Sequence, residues 1–271
     1  MNDSSLSALS LHLVGCGNMG SALLKSWLNA GVKPAQVTAR VASPASADLL
    51  STTYGIRAST DALYDGEDAV ILAVKPQMLD SVLQEHWHNA PSKPLYVTIA
   101  AGKTIAFYQQ LLGQSCRIIR AMPNTPSLIG RGVTTLVASN TVTTADKELV
   151  SHLFSASGTA VWLENETQLD AATAVAGSGP AYVFYFAECL LDSARKLGLP
   201  DDVALTLVQG TLGGSVGLAD AENWADLKAL RRNVTSKGGV TEAALDVLMT
   251  ELPHLINRAL DANIARAKEL S

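Results

Sequence analysis

The sequence predicts an α/β protein, a doubly wound sheet followed by an all-helical half. Three observations predict it. Up to residue 163 short β-branched runs alternate with amphipathic helical stretches, and after Glu164 the strand signals stop. A glycine-rich turn joins the first strand to the first helix. Continuous apolar strands alternating with helices mean a parallel sheet covered on both faces. The expected division is 1–163 for the sheet domain and 164–271 for the helical domain.

Leu11–Gly15, Gln36–Arg40, Asp68–Val74, Leu95–Ala100, Arg117–Arg120, Val133–Ala138 and Thr159–Leu163 read as strands. Most are separated by amphipathic helix. Met19–Ala30, for example, is closed by Gly31 and followed by Pro34, a glycine stop and a helix breaker in the places a helix end requires. Helical patterns then run through Gln168–Ala176, Pro180–Leu197, Asp201–Ala219, Asn223–Asn233, Thr241–Leu248 and Pro253–Leu270. Within them Gly210, Gly213, Gly214 and Gly217 share one helix face. Each costs roughly 1 kcal/mol against alanine in a helix interior. Either the helix is broken there, or another backbone comes very close, within the subunit or across a dimer. The second reading is preferred.

With 48% hydrophobic and 17% charged residues, the chain can bury a sizeable core, which excludes disorder. A net charge of −5 and a pI near 5.5 argue against a nucleic-acid or anionic-membrane binder. Cys16, Cys116 and Cys189 lie far apart without a C-x-x-C, so neither a disulfide framework nor a cysteine metal site is expected. His86 and His88 lack a partner cluster and read as surface histidines. The first ten residues do not read as a secretory signal. Apolar runs such as Ala69–Val74 fall short of the roughly 18 residues of a membrane helix. A soluble, cytoplasmic chain is expected.

The strand Leu11–Val14 enters Gly15-Cys16-Gly17-Asn18-Met19-Gly20, a G-x-G-x-x-G that opens a helix. Gly15 permits the tight turn, Gly17 lets backbone approach a pyrophosphate, and Gly20 allows close helix–strand contact. The helix N-terminus offers N–H groups and a positive dipole to phosphates. The bare pattern is weak; following a strand and starting a βαβ unit, it predicts a Rossmann-type dinucleotide site. At the end of the second strand, where an NAD site places Asp or Glu on the ribose, stands Arg40, followed by Ser43 and Ser46. A guanidinium with hydroxyls suits the 2′-phosphate of NADP; the alternative is a surface Arg at a strand end. Val74-Lys75-Pro76, Ala100-Ala101-Gly102 and Met122-Pro123-Asn124 follow other strands, at the rim where such sheets bind ligands. Small residues at 100–102 let a flat nicotinamide ring lie against backbone.

Exclusions narrow the chemistry. None of the six tyrosines has Lys four residues on, which removes the short-chain dehydrogenase pair. Gly177-Ser178-Gly179-Pro180-Ala181-Tyr182 has no lysine on the next turn, which argues against β-hydroxyacid dehydrogenases. No strong side-chain acid is evident. The remaining candidate is the polar loop Val234-Thr235-Ser236-Lys237-Gly238-Gly239-Val240-Thr241, which runs into a helix start. Its backbone N–H groups, from Ser236 to Val240, could hold a carboxylate, and the Ser236 and Thr241 hydroxyls a small polar ring. From the residues alone it is equally an ordinary turn with Thr241 as N-cap.

Taken together, these blocks resemble the pyrroline-5-carboxylate reductase family. The resemblance spans the whole chain and rests on Val14–Gly20, Ala73–Gln77, Ile99–Gly102, Arg120–Pro126, Gly177–Tyr182 and the signature Val234–Leu245. It implies NAD(P)H-dependent reduction of a cyclic imine to L-proline, NADPH preferred and NADH possible. It also implies a helical domain that interlocks with a second subunit, giving a homodimer or larger homo-oligomer. Substrate contacts are implied at Ser236, Gly238, Gly239 and Thr241, with nicotinamide near Ala100–Gly102 and Met122–Asn124. Lys237 stands where the family pattern commonly has Pro, which changes the loop's stiffness and charge. No metal is implied. A reductase of another imine or keto acid, and a non-catalytic NADP sensor, are the competing readings.

Overall fold

A computed structural model describes residues 9–61, 64–86 and 94–270. Residues 1–8, expected to carry no secretory signal, lie outside this range, as do His88 and the side chain of His86. The order is β1 (Leu11–Val14), α1 (Asn18–Asn29), β2 (Val37–Arg40), α2 (Pro44–Tyr54), β3 (Arg57–Ser59), β4 (Ala69–Leu72), α3 (Leu79–His86), β5 (Leu95–Thr98), α4 (Ile105–Leu112) and β6 (Arg117–Met122). Then come β7 (Gly132–Ala138), α5 (Thr144–Ser155), β8 (Gly158–Trp162), α6 (Glu166–Ala172), α7 (Gly179–Lys196), α8 (Asp201–Ala221), α9 (Leu227–Asn233) and α10 (Val240–Leu270).

The strands form one eight-stranded sheet in the order β3-β2-β1-β4-β5-β6-β7-β8. The first six follow the dinucleotide-binding order and run parallel. Successive residues alternate between two buried faces. Leu11, Leu13, Ile71, Val97 and Ile119 enter one apolar cluster with Leu23, Trp27 and Phe154. Val14, Val70, Leu72, Tyr96 and Ile118 enter the other with Leu79 and Tyr108. Burying such side chains is worth about 1.5–3 kcal/mol each, which is why the strands carry no polar alternation.

The structure corrects the expected parallel sheet at one end. β7 runs antiparallel to β6, and β8 pairs parallel to β7. The connection from β6 to β7 holds only a short 3₁₀ turn, Thr125–Ile129. A parallel return needs a crossover of about a dozen residues or more, so the chain must reverse. β3 was not anticipated.

Among the described residues, those up to Ser178, with the stretch from Ile264, form one compact unit, and Gly179–Asn263 form a second. The helices differ in detail from expectation. After α6 the chain makes a π-turn, Thr173–Gly177, marked by the Ser178 N–H donating to the Thr173 carbonyl at 2.9 Å. The helix expected from Asn223 starts only at Leu227, capped by the Asp226 carboxylate. Asn223 and Trp224 instead adopt left-handed φ of 49° and 55°. Pro253 does not split the last helix: α10 runs through it. Proline removes one internal hydrogen bond, here to the carbonyl of Met249, an exposed residue where water can supply the bond.

In the second unit, α7 buries none of its residues, and Val183, Phe184, Tyr185 and Phe186 are exposed. α8 is unbroken through the glycine stripe. A Cβ added at Gly210, Gly213, Gly214 or Gly217 meets nothing within 4 Å. The tight seam therefore does not lie within the described residues of this subunit. Glu166–Lys196 is long and apolar enough to cross a membrane by length and composition; the π-turn interrupts it.

Candidate active site

The carboxyl ends of β1, β2 and β4 open onto a cleft of about 560 Å³. Val14, Gly15, Cys16 and Gly17 line one part of it, Ala73, Val74 and Lys75 another, and Arg40, Val41, Ala42, Ser46 and Thr60 a third. The Gly15 N–H donates to the Arg40 carbonyl at 2.8 Å, and the Ala73 N–H donates to the Val14 carbonyl at 2.8 Å. These bonds hold the three strand ends in register.

Each glycine of the turn has a separate reason. Gly15 has φ +81°, and a Cβ there would lie 2.6 Å from Val74 Cγ1. At Gly20 a Cβ would stand 3.3 Å from that of Ala73, so the helix lies tight against the β4 end. A Cβ at Gly17 would meet nothing within 4 Å. Gly17 is the N-cap of α1, with no side chain bonded to the helix amides. Uncapped amides beside open space fit a diphosphate. Asn18 and Met19 begin that helix. Cys16 is half-buried with Sγ 3.3 Å from Ser21 Oγ. Burial pushes its thiol pKa up, so it stands as a neutral thiol and not as a nucleophile.

Arg40 lines the cleft at the end of β2, its Nε donating to the Thr60 carbonyl at 3.2 Å. Of the two serines, Ser46 reaches the cleft wall. Ser43 instead caps α2, its Oγ accepting the Ser46 N–H at 3.2 Å. Thr60, Met78 and Ser81 also line the cleft and carried no signal in the sequence. Thr60 follows β3, which is too short to show a period. Lys75 is exposed, and Pro76 opens a 3₁₀ turn after it.

Ala100–Gly102 follow β5. Ala100 is buried, Ala101 exposed, and Gly102 has φ +80°. Met122 ends β6, and Pro123 and Asn124 are buried. The Asn124 side chain is occupied with structure: its Oδ1 accepts the Val133 N–H at 2.9 Å, and its Nδ2 donates to the Ala176 carbonyl at 3.0 Å. It ties the strand end to β7 and to the π-turn.

In the second unit, the loop between α9 and α10 corrects one expectation. Not every amide of Ser236–Val240 is open to a carboxylate. The Gly238 N–H donates to Glu242 Oε2 at 2.6 Å, and the Gly239 N–H donates to the Ser236 carbonyl at 3.0 Å. Glu242 reaches back from the first turn of α10 past Gly239 to Gly238, one residue further than the N–H a capping-box glutamate takes. Gly238 has φ +73°, and Gly239 lies against Ser236. Thr241 is half-buried and is the second residue of α10. The residue before the helix is Gly239, so Thr241 is not the N-cap. Among the described residues, no group of His, Cys, Asp and Glu is arranged to hold a metal ion.

Comparisons with known proteins agree with this geometry. A family model described as pyrroline-5-carboxylate reductase dimerisation matches residues 166–270, and one described as NADP oxidoreductase, coenzyme F420-dependent, matches residues 10–102. A pyrroline-5-carboxylate reductase of Pseudomonas aeruginosa is 36% identical over 96% of both chains. The solved pyrroline-5-carboxylate reductase of Coxiella burnetii superposes with a TM-score of 0.90 at 35% identity, over 98% of this chain and 99% of that one. A Plasmodium falciparum pyrroline carboxylate reductase solved with NADP bound gives a TM-score of 0.83 at 28% identity, over 97% and 98%. The likeness runs over nearly the full length of both chains, and this chain belongs to the pyrroline-5-carboxylate reductase family.

Proposed function

We propose that this chain reduces L-1-pyrroline-5-carboxylate to L-proline with NADPH, NADH being a weaker alternative, in the cytoplasm as a homodimer or larger homo-oligomer. The observation that carries it is the near-full-length likeness to pyrroline-5-carboxylate reductases, which takes in both the sheet and the helical half. When bound, NADPH supplies the hydride that the imine carbon accepts. The chain's own work is orientation.

In this reading Gly15, Gly17, Asn18, Met19 and Gly20 receive the pyrophosphate, and Val74, Lys75 and Pro76 border it. Arg40 takes the 2′-phosphate with Ser46, while Ser43 acts through the α2 cap. Ala100, Ala101, Gly102, Met122 and Pro123 meet the nicotinamide, with Asn124 holding that edge in place. The Lys237 and Val240 amides hold the substrate carboxylate in a loop braced by Gly238, Gly239 and Ser236. The Thr241 hydroxyl hydrogen-bonds the ring nitrogen. A protonated imine is already a strong hydride acceptor, which is why no buried acid of suitable pKa is required. The dimer rests on α7, whose Val183, Phe184, Tyr185 and Phe186 stay exposed among the described residues. The change of architecture near 163/164 is the domain division we favour.

The test is NADPH oxidation by the purified protein with racemic pyrroline-5-carboxylate, beside piperideine carboxylates and small keto acids. Turnover confined to the pyrroline supports the proposal. Preference for another imine or a keto acid, or NADPH binding without oxidation, refutes it.

A further inference from the structure

Between Thr98, the last residue of β5, and Ile105, the first of α4, the chain makes the loop that carries Ala100–Gly102. Two buried polar contacts hold the ends of this loop. Thr98 is 1% exposed and Tyr108 fully buried. Thr98 Oγ1 accepts the Ala100 N–H at 3.2 Å and lies 2.7 Å from the Tyr108 phenol oxygen. Tyr108 sits on α4, beyond the loop, so this bond joins the residue before it to the helix after it. Nearby, Glu166 Oε1 accepts the Ile105 N–H at 2.9 Å and an Arg120 guanidinium N–H. Arg120 is the register partner of Thr98 on β6. The exit of the loop is therefore fixed to the strand beside its entry.

A phenylalanine would fill the apolar volume of Tyr108 equally well. A buried hydroxyl costs stability unless it is bonded, and here its bond falls on the one side chain that also holds the Ala100 amide. Burial pushes the Tyr108 phenol up to about 12, so it keeps its proton through the neutral range.

We infer that Thr98 and Tyr108 are positioning residues for the Ala100–Gly102 loop, setting the pose of the nicotinamide ring without touching it. The inference rests on the reading, proposed above, that this loop meets the nicotinamide.

The test compares two ligands by fluorescence or calorimetric titration: NADPH, and adenosine 2′,5′-bisphosphate, which lacks the nicotinamide half. Tyr108→Phe and Thr98→Val should each weaken NADPH by roughly three- to tenfold, the span of one lost neutral hydrogen bond. Both should hold the bisphosphate within about twofold of wild type, which also reports that the cleft is folded. Thr98→Ser, which keeps the hydroxyl, should bind both ligands as wild type does. Equal losses for the two ligands, or no loss for either, overturn the inference. Ala101→Leu separates the two claims, because it obstructs the loop directly. If it weakens NADPH selectively and Tyr108→Phe does not, the pair has no positioning role. If Ala101→Leu also leaves the ratio of the two affinities unchanged, the loop is not a nicotinamide contact and both claims fall.

Discussion

A Cβ on Gly15 would lie 2.6 Å from Cγ1 of Val74, closer than side chains ever approach, and Gly15 also holds φ +81°. The end of β1 and the segment after β4 thus touch through a position that only glycine can occupy. Gly15→Ala combines a left-handed penalty with overpacking, a loss of about 2–4 kcal/mol of stability. Gly17→Ala makes a contrast, because its Cβ meets nothing. That variant should keep its stability within about 0.5 kcal/mol and lose NADPH affinity. Urea unfolding and NADPH titration of the two variants check the pair, and similar unfolding of both would show that the contact at Val74 is unimportant.

Arg40 lines the cleft beside Ser46 and Thr60. Losing a charge-assisted bond to phosphate costs about 1.5–3 kcal/mol. Arg40→Ala should raise the NADPH KM roughly ten- to a hundredfold by that amount and leave the NADH KM nearly unchanged. Steady-state kinetics with both cofactors decides, and equal losses would make Arg40 structural.

Asn124 gives a prediction about stability. Asn124→Leu takes the partner from the Val133 N–H and the Ala176 carbonyl, both on half-buried residues, and each lost hydrogen bond costs about 0.5–1.5 kcal/mol. Its urea midpoint should fall accordingly. An unchanged midpoint would mean that water replaces the amide without loss.

How much of this was legible in the sequence depended on how local the cause was. The Gly15–Gly20 turn was readable because its spacing sits between one strand and the helix that follows, although the contacts that require Gly15 and Gly20 come from Val74 and Ala73 after β4 and a Cβ at Gly17 meets nothing. The direction of β7 was not, since it follows from the length of the Pro123–Arg131 connection and not from any residue in the strand. β3 escaped because its three residues, Arg57–Ser59, cannot display a period. Ser43 and Ser46 looked alike in the sequence, and capping of α2 separates them. The engagement of the Gly238 amide by Glu242 was readable in principle, as a glutamate on the first turn of a helix. The glycines beside it carry the stronger local signal.

Gly214 lies on a helix face that meets nothing in the described subunit. Gly214→Leu should therefore leave the helical circular dichroism unchanged and impair assembly alone. Light scattering at micromolar concentration should give an oligomer for wild type and a shift toward 28.4 kDa for the variant. A wild-type monomer would contradict the dimer.

Thr241 stands on the first turn of α10 without being its N-cap, so its hydroxyl is available for something other than the helix. The most direct measurement is the turnover of Thr241→Ala and Thr241→Ser with pyrroline-5-carboxylate, beside NADPH titration of each. One positioned hydrogen bond corresponds to a loss of roughly ten- to a thousandfold in kcat for Thr241→Ala, with NADPH affinity preserved. Thr241→Ser keeps the oxygen and should retain much of the activity. Full turnover by Thr241→Ala, with only its melting temperature lowered, would contradict the assignment of Thr241 to the ring nitrogen.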